Sequence, residues 1–308
     1  MPPKYGSLHA GFDVGGTRVK YGLCASGGPV AFEGETAVPE YPDDLFALLK
    51  KLFRTLKREA GSAVDSVGLG LPGLFDVEDR IIRRSPHCPC LDGLPLLPRL
   101  ERIFEGPVFF HNEADLAAYG EYAAGAGQGA DSLVLITVGT GIGSGIVLNG
   151  KLWEGIRGYA GELGHVRVNP GGEHCACGRV GCLETEVSAP AVLRHYKARA
   201  ACGDDIRPED ILRRAVKGDV NAVFAFSRAG RALGEGIALL INVLNPECIL
   251  VGGGMMRAGG LLLDPALEQA RALSFKAAFD VCRIQKAGLG NSAGWIGAAL
   301  WAADKGKP

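Results

Sequence analysis

The sequence predicts an α/β protein of two lobes built on one duplicated plan. Three observations carry that prediction. DVGGTRVKYGL at 13–23 and TVGTGIGSGIVL at 137–148 share one arrangement of strand, glycine turn and strand. Each hairpin opens its own run of alternating strand and helix patterns, so the duplication is read as one hairpin per lobe. The length of 308 residues is enough for two separate cores.

The elements follow in order. LHAGFDVGGTRVKYGLCAS reads as strand, tight turn, strand, because the alternation holds on both sides of the glycines. PDDLFALLKKLFRTLKREAG is an amphipathic helix with acids at its start, bases toward its end and Gly61 as its stop. VDSVGLGLPG is a buried strand ending in a glycine–proline turn. From Asp76 to Leu100 the chain reads as loop, with Pro86, Pro89, Pro95 and Pro98 in it and Pro107 just beyond. PVFF is the next strand, and a helix opens near Glu113. DSLVLITVGTGIGSGIVLNGKL is the second hairpin, and the helices after residue 187 belong to the second lobe. EGIALLINVL is a buried helix, NPECILVGGGMM a late strand running into a third glycine turn, and LGNSAGWIGAALWAADKG a terminal helix rich in small residues.

Composition excludes several classes. Hydrophobic residues make up 47% and charged residues 22%, a globular mix. A formal charge of -1 gives no bulk attraction to nucleic acid or to an anionic membrane, and neither is expected as a partner. The start of the chain lacks the apolar core of a signal peptide, and no apolar run is long enough to span a bilayer. A cytoplasmic location is expected. Nine cysteines, an odd number, then point to metal binding or burial rather than a disulfide framework.

Glycine turns after strands let backbone N–H groups approach phosphate oxygens closely. The turn at 13–20 joins two strands, not strand to helix, and no GxxxxGK[ST] sequence occurs, so a dinucleotide fold and a P-loop are both disfavoured. A single such turn is an ordinary hairpin. Three of them, with Thr17 and Thr140 able to donate hydroxyls and Asp13 alongside, point to nucleotide phosphates. Asp13 is suited to order Mg²⁺ through water.

GELGHVRVNPGGEHCACGRVGCLE places His165, Cys175, Cys177 and Cys182 within eighteen residues. This is the donor set of a tetrahedral zinc site, with Gly171, Gly172, Gly178 and Gly181 for its tight turns. His174 ranks below His165 as the fourth ligand. Cys88 and Cys90, in HCPC, are too few to define a second site. Glu162 and Glu184 bracket the cluster. With zinc on one ring nitrogen of His165, the other N–H becomes an oriented donor, and two carboxylates beside it suit a ring of hydroxyls.

HNEADLAAYGE, 111–121, begins the helix after PVFF. Asn112 is a good N-cap, and Glu113 and Asp115 are acids in the first turn. Glu113 is either a helix-capping charge, a group that faces a ligand or a proton acceptor. Asp115, two residues on, points to a different helix face.

Taken together these motifs resemble the ROK family of repressors, open reading frames and sugar kinases. The resemblance rests on DVGGTRVK, GLPGLFD at 70–76, NEADLAAYGE at 112–121, GTGIGSGIVLNGKLWEGIRGYAGELGH at 139–165, CACGRVGCLE at 175–184, NPECILVGGG at 245–254 and LGNSAGWIGAA at 289–299. It implies an actin-like (duplicated ribonuclease H-like) fold of two lobes around a cleft, with a structural zinc knuckle at 165–184. The smaller lobe would be 1–118 plus 291–308, and the larger 119–290. It implies transfer of the γ-phosphate of ATP, with Mg²⁺, to a hexose or N-acetylhexosamine hydroxyl, glucokinase-like, by a homodimer whose cleft closes on the sugar. By position, Asp13, Gly15, Gly16, Thr17 and Lys20 would form the first phosphate turn. Thr140 and Gly141 would form the second, and Gly252, Gly253 and Gly254 would lie near the adenosine. Gly73, Asn112, Glu113, Glu162, His165 and Glu184 would face the sugar, and His165, Cys175, Cys177 and Cys182 would bind zinc.

The sequence departs from the family at one decisive place. Family kinases usually carry Asn-Asp-Ala at this helix start, with the Asp as base, whereas this chain has Asn112-Glu113-Ala114. A carboxylate base must lie within about 2.6–3.2 Å of the proton it takes. The extra methylene moves it by roughly 1 Å, a displacement that can cost on the order of 10²-fold in rate unless a rotamer or the backbone absorbs it. Two further classes therefore stand beside the kinase: a sugar-binding protein with weak or lost phosphotransfer, and a repressor. Repressor members of the family can also carry Glu here, but they have an N-terminal helix-turn-helix, for which there is no room before Asp13. HCPC also replaces the apolar-and-Asn pattern expected of a glucokinase, which leaves N-acetylmannosamine, N-acetylglucosamine and fructose open as acceptors.

Overall fold

The structure, a computed structural model, describes residues 6–85, 88–200 and 205–306. Pro86 and His87 of the loop, Cys202, and both chain ends lie outside the described residues.

The chain begins with a three-stranded meander, β1 (Leu8–Val14), β2 (Arg18–Ala25) and β3 (Val30–Ala37). Helix α1 (Pro42–Ala60) follows, with Asp43 and Asp44 in its first turn, Lys57 and Arg58 in its last and Gly61 left-handed at its end. Charges so placed oppose the helix dipole favourably. Its apolar stripe of Leu45, Leu49, Leu52, Phe53 and Leu56 is buried. Then come β4 (Ser66–Leu71), β5 (Leu74–Asp76), β6 (Ile81–Arg84), α2 (Leu96–Glu101), β7 (Val108–Asn112) and α3 (Glu113–Ala124). The Asp76–Leu100 segment is therefore more ordered than its prolines predict. β5 and β6 pair as a hairpin, and Leu96 and Leu100, four apart, bury one face of α2.

The second half starts with β8 (Ser132–Val138), β9 (Ile142–Leu148) and β10 (Lys151–Leu152). It continues with α4 (Leu183–Val187), α5 (Ala189–Lys197), α6 (Pro208–Val216) and the long α7 (Val220–Val243). β11 (Cys248–Gly252), α8 (Gly260–Leu273), α9 (Lys276–Val281), β12 (Arg283–Lys286) and α10 (Ala293–Lys305) complete it.

The duplication is visible in strand order. One five-stranded sheet runs β3-β2-β1-β4-β7 and the other β10-β9-β8-β11-β12. In the first, β1 is antiparallel to β2 and parallel to β4, which is parallel to β7. In the second, β8, β11 and β12 are parallel. The chain forms two compact units, Met1–Asp131 with Gly145–Gly161 and Ala287–Pro308, and Ser132–Ser144 with Glu162–Lys286. No helix among the described residues is long and apolar enough to cross a membrane.

In the first unit α10 lies directly on the sheet and on α3, and its small residues explain how. A Cβ at Gly11 would sit 1.8 Å from the Trp295 carbonyl oxygen, and one at Gly297 would sit 1.7 Å from that of Leu116. Only bare backbone permits such contact. In the second unit Gly253 has φ +87°, and a Cβ there would lie 2.4 Å from the Val138 carbonyl oxygen at the end of β8. Strain and overlap combine, so Gly253→Ala should lower stability by about 3 kcal/mol in denaturant titration. A loss under about 1 kcal/mol would show that the turn relaxes freely.

Candidate active site

The first unit gathers a cluster of charge at the ends of β1, β2 and β7. Asp13 and Lys20 face each other across the β1–β2 hairpin, and their side chains pair at 3.4 Å. The turn between them is closed by Gly15 N donating to Arg18 O at 2.9 Å, and Thr17 O accepts from Val38 N. Room for Asp13 comes from Gly294 on α10, where a Cβ would lie 2.6 Å from the Asp13 carboxyl carbon.

Glu113 is the first residue of α3. Its neighbour Asn112 acts as the cap the sequence predicts. Asn112 Oδ1 accepts from Ala114 N at 2.8 Å and Asp115 N at 3.2 Å. Its Nδ2 donates to Gly73 O at 2.9 Å. Gly73 has φ +113°, and Ser85 leaves no space there for a side chain. Gly70 on β4 likewise lets the Glu113 backbone pack on the strand. These contacts fix the helix start, yet Glu113 Oε2 itself is buried with no hydrogen-bond partner.

Burial pushes the Glu113 carboxyl up to about 8, the Asp13 charge adds to the rise, and Lys20 offsets part of it. Asp13 is raised for the same first reason, with Lys20 opposing. Two carboxyls in a dry site with one ammonium hold fewer than two negative charges comfortably. Such a site takes a proton readily near neutral pH.

The second unit carries the cysteine cluster. One ligand atom each from His165, Cys175, Cys177 and Cys182 lies within 4.8 Å of all the others. Cys177 Sγ is 3.6 Å from Cys182 Sγ, and Cys175 Sγ is 3.6 Å from His165 Nδ1. A zinc–sulfur bond of about 2.3 Å gives a tetrahedron with edges of roughly 3.8 Å, so the donors fit zinc. Burial, then the neighbouring sulfurs, push the Cys182 thiol up to about 12, crowding that a divalent cation would reverse. His165 turns Nδ1 to the sulfurs and Nε2 toward Glu162 Oε2, 3.7 Å away. Glu184 Oε2 accepts from Ile142 N at 3.0 Å, and its Oε1 lies 3.8 Å from Cys175 Sγ. The predicted acids therefore do sit beside the cluster. His174 is not part of it.

The two other predicted glycine turns belong to this unit. Thr140 lies in the β8–β9 turn, closed by Gly139 N donating to Gly141 O at 2.9 Å. Gly252 ends β11, and Gly253 and Gly254 follow it. Cys88 and Cys90 of the first unit lie Sγ to Sγ at 3.2 Å. The cysteines among the described residues are free thiols.

Sequence reasoning missed two groups. Asp76 is fully buried and collects Tyr159 Oη at 2.5 Å, Arg157 Nη2 at 3.0 Å and Arg83 Nε at 3.0 Å. Those donors, with the Glu78 and Asp79 amides, overcome burial and hold its carboxyl well below the usual range. Glu121, also fully buried, accepts from Ala126 N, Gly288 N and Leu289 N. The signal was an acid inside an apolar stretch, which must find donors.

The ROK family profile matches residues 9–305. This chain belongs to the ROK family. A glucokinase of Halalkalibacterium halodurans is 36% identical over 94% of this chain and 93% of its own length. A ROK family glucokinase from Streptomyces griseus, solved in complex with glucose and AMPPNP, superposes with a TM-score of 0.84 at 32% identity, covering 97% of this chain and 100% of that one. A ROK family transcriptional regulator superposes with a TM-score of 0.86 at 32% identity, covering 98% of this chain and 79% of the regulator. The fold is the two-domain, actin-like α/β fold of ROK sugar kinases.

Proposed function

We propose that this chain is an ATP-dependent hexose kinase, glucokinase-like, in which Glu113 accepts the proton of the attacking sugar hydroxyl. Its kinship with glucokinases supports the reaction. The observation that carries the residue assignment is a buried carboxylate oxygen of Glu113 with no partner of its own, at a rigidly capped helix start. A base free of competing hydrogen bonds, with its affinity for protons raised toward neutral, suits proton removal in phosphoryl transfer.

The remaining roles follow the same reading. Mg-ATP is the co-substrate. The turn at Gly15, Gly16 and Thr17 offers the Gly16 and Thr17 amides to phosphate, the Gly15 amide closing the turn on Arg18 O. Asp13, held by Lys20, is the group to order water on Mg²⁺. Thr140, Gly141 and Gly252–Gly254 are the second unit's nucleotide turns. Glu162, His165 and Glu184 are its acceptors and donor for sugar hydroxyls, with zinc on His165, Cys175, Cys177 and Cys182 stiffening the loop that carries them. Asn112 keeps a second Nδ2–H for the sugar beyond the one given to Gly73. We also propose a homodimer in the cytoplasm that acts on a sugar rather than on DNA.

The test is ADP release with Mg-ATP against hexoses and N-acetylhexosamines, glucose first, beside Glu113→Asp. Turnover with one sugar well above the others is the expected result. A wild type that binds sugar without releasing ADP, but turns over as Glu113→Asp, would make this chain a sugar-binding protein silenced by one methylene.

A further inference from the structure

His111 ends the apolar part of β7, one residue before the cap of α3 and two before Glu113. Its side chain is 1% exposed. The ring packs edge-on against Phe75 of β5 and Trp301 of α10, with centroids 5.3 and 5.4 Å away. Such surroundings favour a neutral imidazole. Two carboxylates reverse that preference. Nδ1 lies 3.2 Å from Asp115 Oδ2 and Nε2 lies 2.7 Å from Glu154 Oε1. Neither contact has the angle of a well-formed hydrogen bond, so the attraction is chiefly that of charges.

Burial lowers the imidazole's proton affinity, but Asp115 and Glu154 outweigh it and push His111 up to about 9. In return His111 draws Glu154 below its ordinary value, while burial still raises Asp115. Lys305 of α10 is the other charge acting on Glu154. At neutral pH the group is an imidazolium between two carboxyl groups, of which Glu154 is the one its charge holds ionised.

The clamp acts on the turn that carries Glu113. The Asp115 amide donates to Asn112 Oδ1 while its side chain reaches back to His111. The third residue of a capping box reaches back in the same way. Gly145 presses on the same turn, where a Cβ would lie 2.6 Å from the Ala114 carbonyl oxygen. The turn is therefore held by packing on Gly145, by Asn112 at its mouth and by His111, whereas buried Glu113 Oε2 contributes no bond that would hold it.

We propose that His111, clamped between Asp115 and Glu154, is a positioning residue that holds the first turn of α3 and thereby aims Glu113. The kinetic arm of its test rests on the kinase reading above, and the exchange arm does not.

Glu154→Gln keeps the side chain's shape and removes one anion, and at 31% exposure the position tolerates it. In the full chain, amide exchange at Ala114 and Asp115 should accelerate on the order of tenfold, and so should it in His111→Gln. With Mg-ATP and sugar, kcat should fall on the order of tenfold with KM for Mg-ATP unchanged. The loss of kcat at high pH, where His111 deprotonates, should move to lower pH in Glu154→Gln. A purely structural His111 would lower Tm and leave kcat and that limb in place, and this result overturns the proposal. So does unchanged exchange at the two amides. A wild type silent toward every sugar would sink the kinase reading, with faster exchange still supporting the clamp.

Discussion

Glu113→Gln is expected to lower kcat for sugar phosphorylation by on the order of 10²–10⁴-fold, the usual contribution of a general base. The amide keeps the shape of the carboxyl and cannot take a proton. KM for Mg-ATP should stay within about twofold, because the lost interaction forms only as the hydroxyl proton leaves. The wild-type pH profile should show the same group. Glu113 is pushed up to about 8, so kcat/KM should climb as pH rises through that value, ahead of the fall at higher pH that follows loss of the His111 proton. A variant with more than a tenth of wild-type turnover would remove Glu113 as the base.

The same shift has a sign in stability. Folded Glu113 holds its proton up to about 8, while the unfolded chain releases it near its ordinary 4.5. Between those values the folded state binds more protons, so its stability declines as pH rises and is flat again above about 8. Glu113→Gln has no proton to lose there. The variant should match wild type at pH 5 and exceed it in Tm at pH 9, provided Asp13, relieved of its neighbour, ionises without penalty beside Lys20. Equal Tm differences at both values would mean that Glu113 is not the buried acid of this cluster.

Removing zinc should have the largest effect on stability. Metal analysis of the purified protein is expected to give one zinc per chain. Cys177→Ser should cost on the order of 5 kcal/mol or more, since zinc binding to a loop of this size is itself folding free energy. The effect should fall on the second unit, where Cys175 and Cys182 are buried and the loop between them is a string of turns with little core beneath it. KM for the sugar should rise with the loss, because His165 meets the cluster through Nδ1 and Glu162 through Nε2. Well under one zinc per chain, with unchanged stability in Cys177→Ser, would take zinc out of the account.

Much of the candidate site was legible because its signals are local. Asn112 as a cap, Glu113 in the first helical turn, the glycine hairpins and the Cys/His spacing all lie within a few residues of their partners. Helix α1 was legible for the same reason, with acids, bases and Gly61 in their expected places. Edge elements were not. β3, β6 and β12 are short or half-exposed, and their pattern is too weak to separate from loop until a neighbouring strand supplies the hydrogen bonds.

The sequence by itself determined the duplicated plan, the family and the Cys/His cluster, since each depends on residue type at short spacing. Only the tertiary structure decided the electrostatics around Glu113. Asp13 reaches it through strand order, a hundred residues away in the chain. Glu154 reaches His111 from forty-three residues on, and Tyr159 reaches Asp76 from eighty-three. Whether a carboxyl is a surface charge or a proton acceptor depends on what surrounds it, and burial and long-range neighbours exist only once the chain has folded.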